Sequence, residues 1–148
     1  MTSIRAFNKI RDHQERIKNQ AQLDYQEALH EFELVAEQLY LLLQKKEQVE
    51  KEYSYYLASS GTVKTLATHY AFIEQIKKKI DIVQTELNQK RFVMERKQQK
   101  LTSAHVEVKK FEKIIEKKHL KRQMADRYRE NQTNDEIASR MYLNHGNR

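Results

Sequence analysis

Two ladders of apolar residues that do not share a phase set the first constraint on this chain. From Ala21 the positions step alternately by four and three: Ala21, Tyr25, Ala28, Phe32, Val35, Leu39, Leu42, then Lys46, Val49, Tyr53 and Tyr56. A second ladder runs Leu66, His69, Ile73, Ile76, Ile80, Val83, Leu87, Lys90, Met94, Lys97, Leu101, Ala104, Val108, Phe111 and Ile115. Such spacing lines side chains along one stripe, the seam of helices that supercoil around a partner. Carried forward, the first ladder falls on 63, 67, 70 and 74, whereas the second uses 66, 69 and 73. An offset of one residue rotates the stripe by about 100°. One continuous helix would present its two seams in different directions, and a turn removes the conflict.

Local chemistry places that turn near residues 58–62. Gly61 is the only glycine before Gly146, and the chain has no proline. Gly61 can close the first helix at C′ in the left-handed conformation, and Thr62 can cap the second through its hydroxyl. Residue i of one arm then lies near 120 − i of the other. Phe7 and Ile10 come to meet Phe111 and Ile114. Upstream of Ala21 the ladder continues through Ile17, Gln14, Ile10 and Phe7, with two consecutive steps of four that read as a stutter.

The expectation is an all-α fold: two long helices in an antiparallel coiled-coil hairpin over residues 1–130, the second helix longer. Residues 131–148 are expected to form a flexible tail or a short extra helix capped at Thr133 or Asn134. Composition agrees. Charged residues make up 33% of the 148, hydrophobic ones 39%, and the mean hydropathy is −0.94, too little apolar material for a globular core but enough for a stripe. There is no cysteine, so neither a disulfide nor a thiolate metal site is available, a composition that suits the cytosol. The apolar run "LYLLL" is far short of the roughly 20 residues needed to span a bilayer, so any membrane association is expected to be peripheral.

No catalytic constellation, metal-ligand spacing or phosphate-binding glycine loop is visible. The histidines at 13, 30, 69, 105, 119 and 145 show no H-E-x-x-H or related pattern. No enzymatic activity, cofactor or metal is expected. The acidic run Asp24, Glu27, Glu31, Glu33 and Glu37 reads as a solvated face that pairs with bases of the other arm.

Beyond about residue 116 the second helix has no partner within the chain, and that overhang concentrates charge. Residues 109–129 hold nine Lys or Arg against three Asp or Glu, most of the net +7. A docking end for an acidic protein cavity fits best. A nucleic-acid arm, a membrane-surface helix and a merely solvated face remain as other readings. A basic-region zipper, however, places its basic helix ahead of a parallel seam, and nucleic acid is not the expected partner. Phe72 flanks the seam beside the turn, where it is either a satellite of the core or a contact for a partner.

The run G-x4-L-x3-Y-x-F-I-x2-I-x3-I (Gly61, Leu66, Tyr70, Phe72, Ile73, Ile76 and Ile80) resembles the hairpin region of the flagellar export protein FliJ family. "FNKIRDHQERIKNQAQLDY", "FELVAEQLYLLLQKKE" and "EVKKFEKIIEKK" extend the likeness over residues 4–130. The resemblance implies a non-enzymatic component of the flagellar type III protein export apparatus, a coiled coil similar to the rotor stalk of rotary ATPases. It implies three partners: the hexameric flagellar export ATPase, the cytoplasmic region of the export-gate membrane protein, and flagellar export chaperones. The location it implies is cytoplasmic, peripheral at the cell membrane, in flagellum biogenesis and motility. It places the ATPase contact at Phe7, Ile10 and Arg11 with Lys117, Lys118, Lys121 and Arg122. The gate contact is placed at Phe72, Ile76, Lys79 and Val83. The central stalk of another rotary ATPase, or a generic coiled-coil adaptor, is the alternative.

Overall fold

The computed structural model describes residues 3–59 and 61–146. They form two helices, α1 (Ile4–Ser59) and α2 (Val63–Gly146), which contact each other as a hairpin. The helix pair divides into a unit of Asn19–Thr102 and a terminal unit of Met1–Lys18 with Ser103–Arg148.

Each helix starts on a hydroxyl cap. Ser3 Oγ accepts from the Ala6 amide at 3.2 Å, and Thr62 Oγ1 accepts from the Thr65 amide at 3.2 Å. In both cases an N–H of the first turn finds a side-chain oxygen, the Ala6 amide sharing its proton with the Ser3 carbonyl at 3.0 Å. The end of α1 differs from expectation. The Gly61 amide donates to the Tyr56 carbonyl at 2.9 Å, a bond spanning five residues, so Gly61 stands one position beyond C′. Among the described residues no backbone has positive φ. Glycine is needed at 61 for close approach instead: a Cβ there would lie 2.9 Å from both the Tyr56 carbonyl oxygen and its Cβ. Ser60, inside the expected turn, lies outside the described residues.

In the Asn19–Thr102 unit both ladders face inward. Val35, Leu39, Val83 and Leu87 form one buried cluster, flanked by Phe32, Ala36, Leu42 and Ile80. Val49, Ile73 and Ile76 form a second, flanked by Tyr53 and Ile80. Each such side chain contributes about 1.5–3 kcal/mol when fully buried. Two polar pairs bridge the helices: Lys90 Nζ lies 3.1 Å from Glu31 Oε2, and His69 Nε2 lies 3.8 Å from Glu52 Oε2. Both pairs put residue i opposite 121 − i, one residue from the expected register. Lys90 occupies a seam position, and its stem stays in the stripe while the ammonium reaches the rim.

The terminal unit is built on Ala104, Val108 and Ile115, all buried, with Phe7, Gln14, Phe111 and Ile114 half-buried. Here the stutter is absent. Half-buried positions of α1 at Ile4, Phe7, Arg11, Gln14, Lys18, Ala21 and Tyr25 lead to buried Ala28 in unbroken steps of three and four, with Ala6, Asn8 and Asp24 half-buried beside them. Ile10 and Ile17 are 39% and 43% exposed. A constant period keeps the stripe aligned, and the long stems of Arg11 and Lys18 can line it while their charges reach water. That outweighs the apolarity of the two isoleucines.

The expected end of the helix near residue 130 is also absent. α2 continues to Gly146, and Thr133 Oγ1 donates to the Arg129 carbonyl at 2.9 Å, the habit of a helix-interior threonine and not of a cap. No proline, and no glycine before Gly146, interrupts this stretch.

Candidate partner-binding surfaces

At the terminal unit the structure brings together part of the expected ATPase contact. Lys118 Nζ lies 4.9 Å from the centroid of the Phe7 ring, which ties the first turns of α1 to α2. Phe7 therefore meets α2 about a turn beyond the expected Phe111 and Ile114. The Arg11 guanidinium donates to Asp12 Oδ1 at 2.9 Å, and Arg11 also lines a groove with Asn8, Ile115, His119 and Leu120. Ile10 is turned outward and is accessible.

Lys117, Lys121 and Arg122 are exposed, whereas Lys118 is half-buried by its seat over Phe7. From His119 to Gly146 every residue of α2 is exposed. Leu120, Met124, Tyr128, Ile137, Met141, Tyr142 and Leu143 lie in that stretch, so the extension carries apolar as well as basic side chains. Ile137, Met141, Tyr142 and Leu143 fall in the stretch expected to be a flexible tail or a short extra helix, and α2 runs through it unbroken.

The expected gate stripe does not hold together as one surface. Ile76 is 2% exposed and Val83 is 8% exposed, and both belong to the buried clusters between the helices. They are seam residues at helical spacing, so the side chains that would mark an outward stripe are consumed by the partner helix. Phe72 and Lys79, seven residues apart, share the flank beside that seam and are exposed. Lys45 of α1 places its Nζ 5.3 Å from the Phe72 ring centroid. Sequence reasoning missed Lys45. Its position is legible only through the pairing of the two helix flanks, which the ladder phases determine to within a residue. On its other side Phe72 borders a shallow groove formed with Lys64, Ala67, Thr68, Ala71 and Gln75.

Among the described residues no group of three or more His, Asp or Glu is placed to hold a metal ion, and no helix is long and apolar enough to cross a membrane.

Comparison with known proteins supplies the identity of this helix pair. The family model described as "Flagellar FliJ protein" matches residues 3–147. A protein of that name from Bacillus subtilis (strain 168) is 33% identical over 140 residues, covering 95% of this chain and 95% of the relative. No solved structure matches. The match runs through the caps, both buried clusters and the exposed extension of α2, and the chain belongs to the flagellar FliJ protein family, components of the flagellar export machinery.

Proposed function

We propose that this protein is the non-enzymatic coiled-coil stalk of the flagellar type III export apparatus, binding the export ATPase ring through its terminal unit and promoting the ring's assembly and turnover. The observation that carries this reading is the basic, unpaired extension of α2 beside Phe7. Lys117, Lys121 and Arg122 are exposed at the point where α1 begins, and among the described residues no other helix covers those that follow. An α-helix with an open apolar and basic surface suits insertion into an acidic protein cavity. Two helices of unequal length present different faces to different subunits of a symmetric ring. Unequal contacts can bias the order of nucleotide turnover without chemistry in the stalk itself.

The same reading assigns Phe72 and Lys79 to contact with the cytoplasmic region of the export-gate membrane protein. Binding of export chaperones is also part of it, as is a cytoplasmic location peripheral to the membrane. Ile76 and Val83 support that surface from beneath by holding α2 in place.

Co-purification with the export ATPase, followed by assays of hexamerisation and ATP turnover, tests the proposal. Added stalk is expected to raise both. An ATPase whose assembly and turnover are indifferent to the protein would refute it.

A further inference from the structure

We infer that the outer face of α1 around Leu34 and Leu41 is a docking surface for the free extension of α2 in a second copy of this chain. The contact sets the acidic run of one molecule against the basic helix of another.

Three observations carry it. The first is charge left unanswered. Residues 19–44 hold five carboxylates (Asp24, Glu27, Glu31, Glu33 and Glu37) and no Lys or Arg. Among the described residues the expected pairing with the other arm is made only at Glu31, 3.1 Å from Lys90, while Arg91 lies over the Phe32 ring. Glu27, Glu33 and Glu37 are exposed.

The second is an open apolar stripe within that run. Leu23, Leu34 and Leu41 fall on the side of α1 turned away from buried Ala28, Val35 and Leu39, and each is more than half exposed. Glu27 and Glu37 border the stripe. Lys45 stands at its far end, where its ammonium is seated over Phe72.

The third is that the chain carries the complement. Residues 117–129 hold six Lys or Arg against one Asp. Leu120, Met124 and Tyr128, spaced by four, make one stripe and are each more than half exposed. Lys117, Lys121 and Arg127 border it, Asp126 lies on the opposite side of the helix, and Glu116 precedes the stripe by a turn.

Two helices with apolar stripes and opposite borders pack side by side with their charges paired at the rim. The occupant is a second copy, because α2 is one unbroken helix with no turn by which its extension could fold back on its own α1. Unlike surfaces meet, so the contact is heterologous and repeats from copy to copy or is returned within a pair. Nucleic acid and anionic lipid are poor occupants, since the acidic run repels phosphate. Under the reading given above, Lys117 and Lys121 also contact the ATPase, so copies joined in this way are held off the ring. The contact itself does not depend on that reading.

Sedimentation velocity of the full-length protein tests this. At low salt the sedimentation coefficient is expected to rise with concentration, and at high salt the rise should disappear. Glu27→Lys/Glu37→Lys and Lys121→Glu/Arg127→Glu should each weaken association about tenfold at an unchanged melting temperature. An equimolar mixture of these two variants should associate again, because both contacts re-form with their charges exchanged. Leu34→Gln/Leu41→Gln alters no charge and should weaken association as much. If only the charge variants lose association, the attraction is unspecific and the surface is overturned; a mixture that stays apart overturns it as well. A wild-type chain that remains monomeric at low salt overturns the contact between copies and leaves the acidic face to a basic helix of another protein.

Discussion

Lys118 Nζ sits 4.9 Å from the centroid of the Phe7 ring, joining the first turns of α1 to the point where α2 begins to run on alone. An ammonium over an aromatic face contributes about 0.5–1 kcal/mol at a partly exposed site. Phe7→Leu should cost about that much and Phe7→Ala about 1–3 kcal/mol, as half-buried packing is lost as well. Hydrogen exchange should show faster opening of α1 from Ile4 to about Gln14 in the alanine variant, with protection around Val35 and Leu39 unchanged. Uniform loss of protection throughout would contradict a local role for the pair.

Charge reversal at Lys117, Lys121 and Arg122 should separate docking from folding. These side chains are exposed, so the circular dichroism spectrum and melting temperature should stay within experimental error of wild type. Stimulation of the export ATPase at moderate salt is expected to fall. Undiminished stimulation would remove these residues from the contact.

Ile76 and Phe72 are four residues apart and should behave as opposites. Ile76→Ala empties a buried position and should cost about 2–5 kcal/mol in urea denaturation. Phe72→Ala should cost about 1–2 kcal/mol, because the ring is only partly covered. Equal losses would mean that Phe72 is core.

Gly61→Ala should destabilise by about 1–3 kcal/mol, since the added Cβ would meet the Tyr56 carbonyl oxygen and Cβ at 2.9 Å. Both clashing neighbours are fixed close to the backbone and cannot swing aside. Denaturation midpoints provide the measurement; an unchanged midpoint would show that the α1 terminus rearranges freely.

Lys90→Leu should raise stability by about 1 kcal/mol, since the position lies on the apolar stripe and the Glu31 pair is partly screened by solvent. The same change should broaden the choice of partners, because a lone polar group in a seam penalises slipped registers. Size-exclusion profiles at rising concentration would show new oligomers in the variant.

Much of this fold was legible from spacing. Every member of the second ladder, from Leu66 to Ile115, is buried or half-buried, and the register came within one residue in the Asn19–Thr102 unit, though Phe7 in the terminal unit meets α2 about a turn away. The reason is that a supercoiled pair imposes a single period, and residue type follows that period over many turns. The same reasoning failed where composition and period disagreed. At Ile10 and Ile17 the eye follows hydrophobicity, while the helix follows the phase that places Arg11 and Lys18 in the stripe.

What the amino-acid order determined unaided was the antiparallel pair of long helices, the site of the reversal, the buried face from Ala21 to Tyr53 and from Leu66 to Ile115, and the concentration of basic charge after residue 109. These are local or periodic properties, set by helix propensity, caps and a repeating stripe. Only the tertiary structure decided that Ile76 and Val83 are consumed by the core, that Lys118 rests on Phe7, and that Lys45 reaches Phe72 from the other arm. Each of those depends on the contact made across two helices, where a rotation of a few tens of degrees changes a buried side chain into an exposed one.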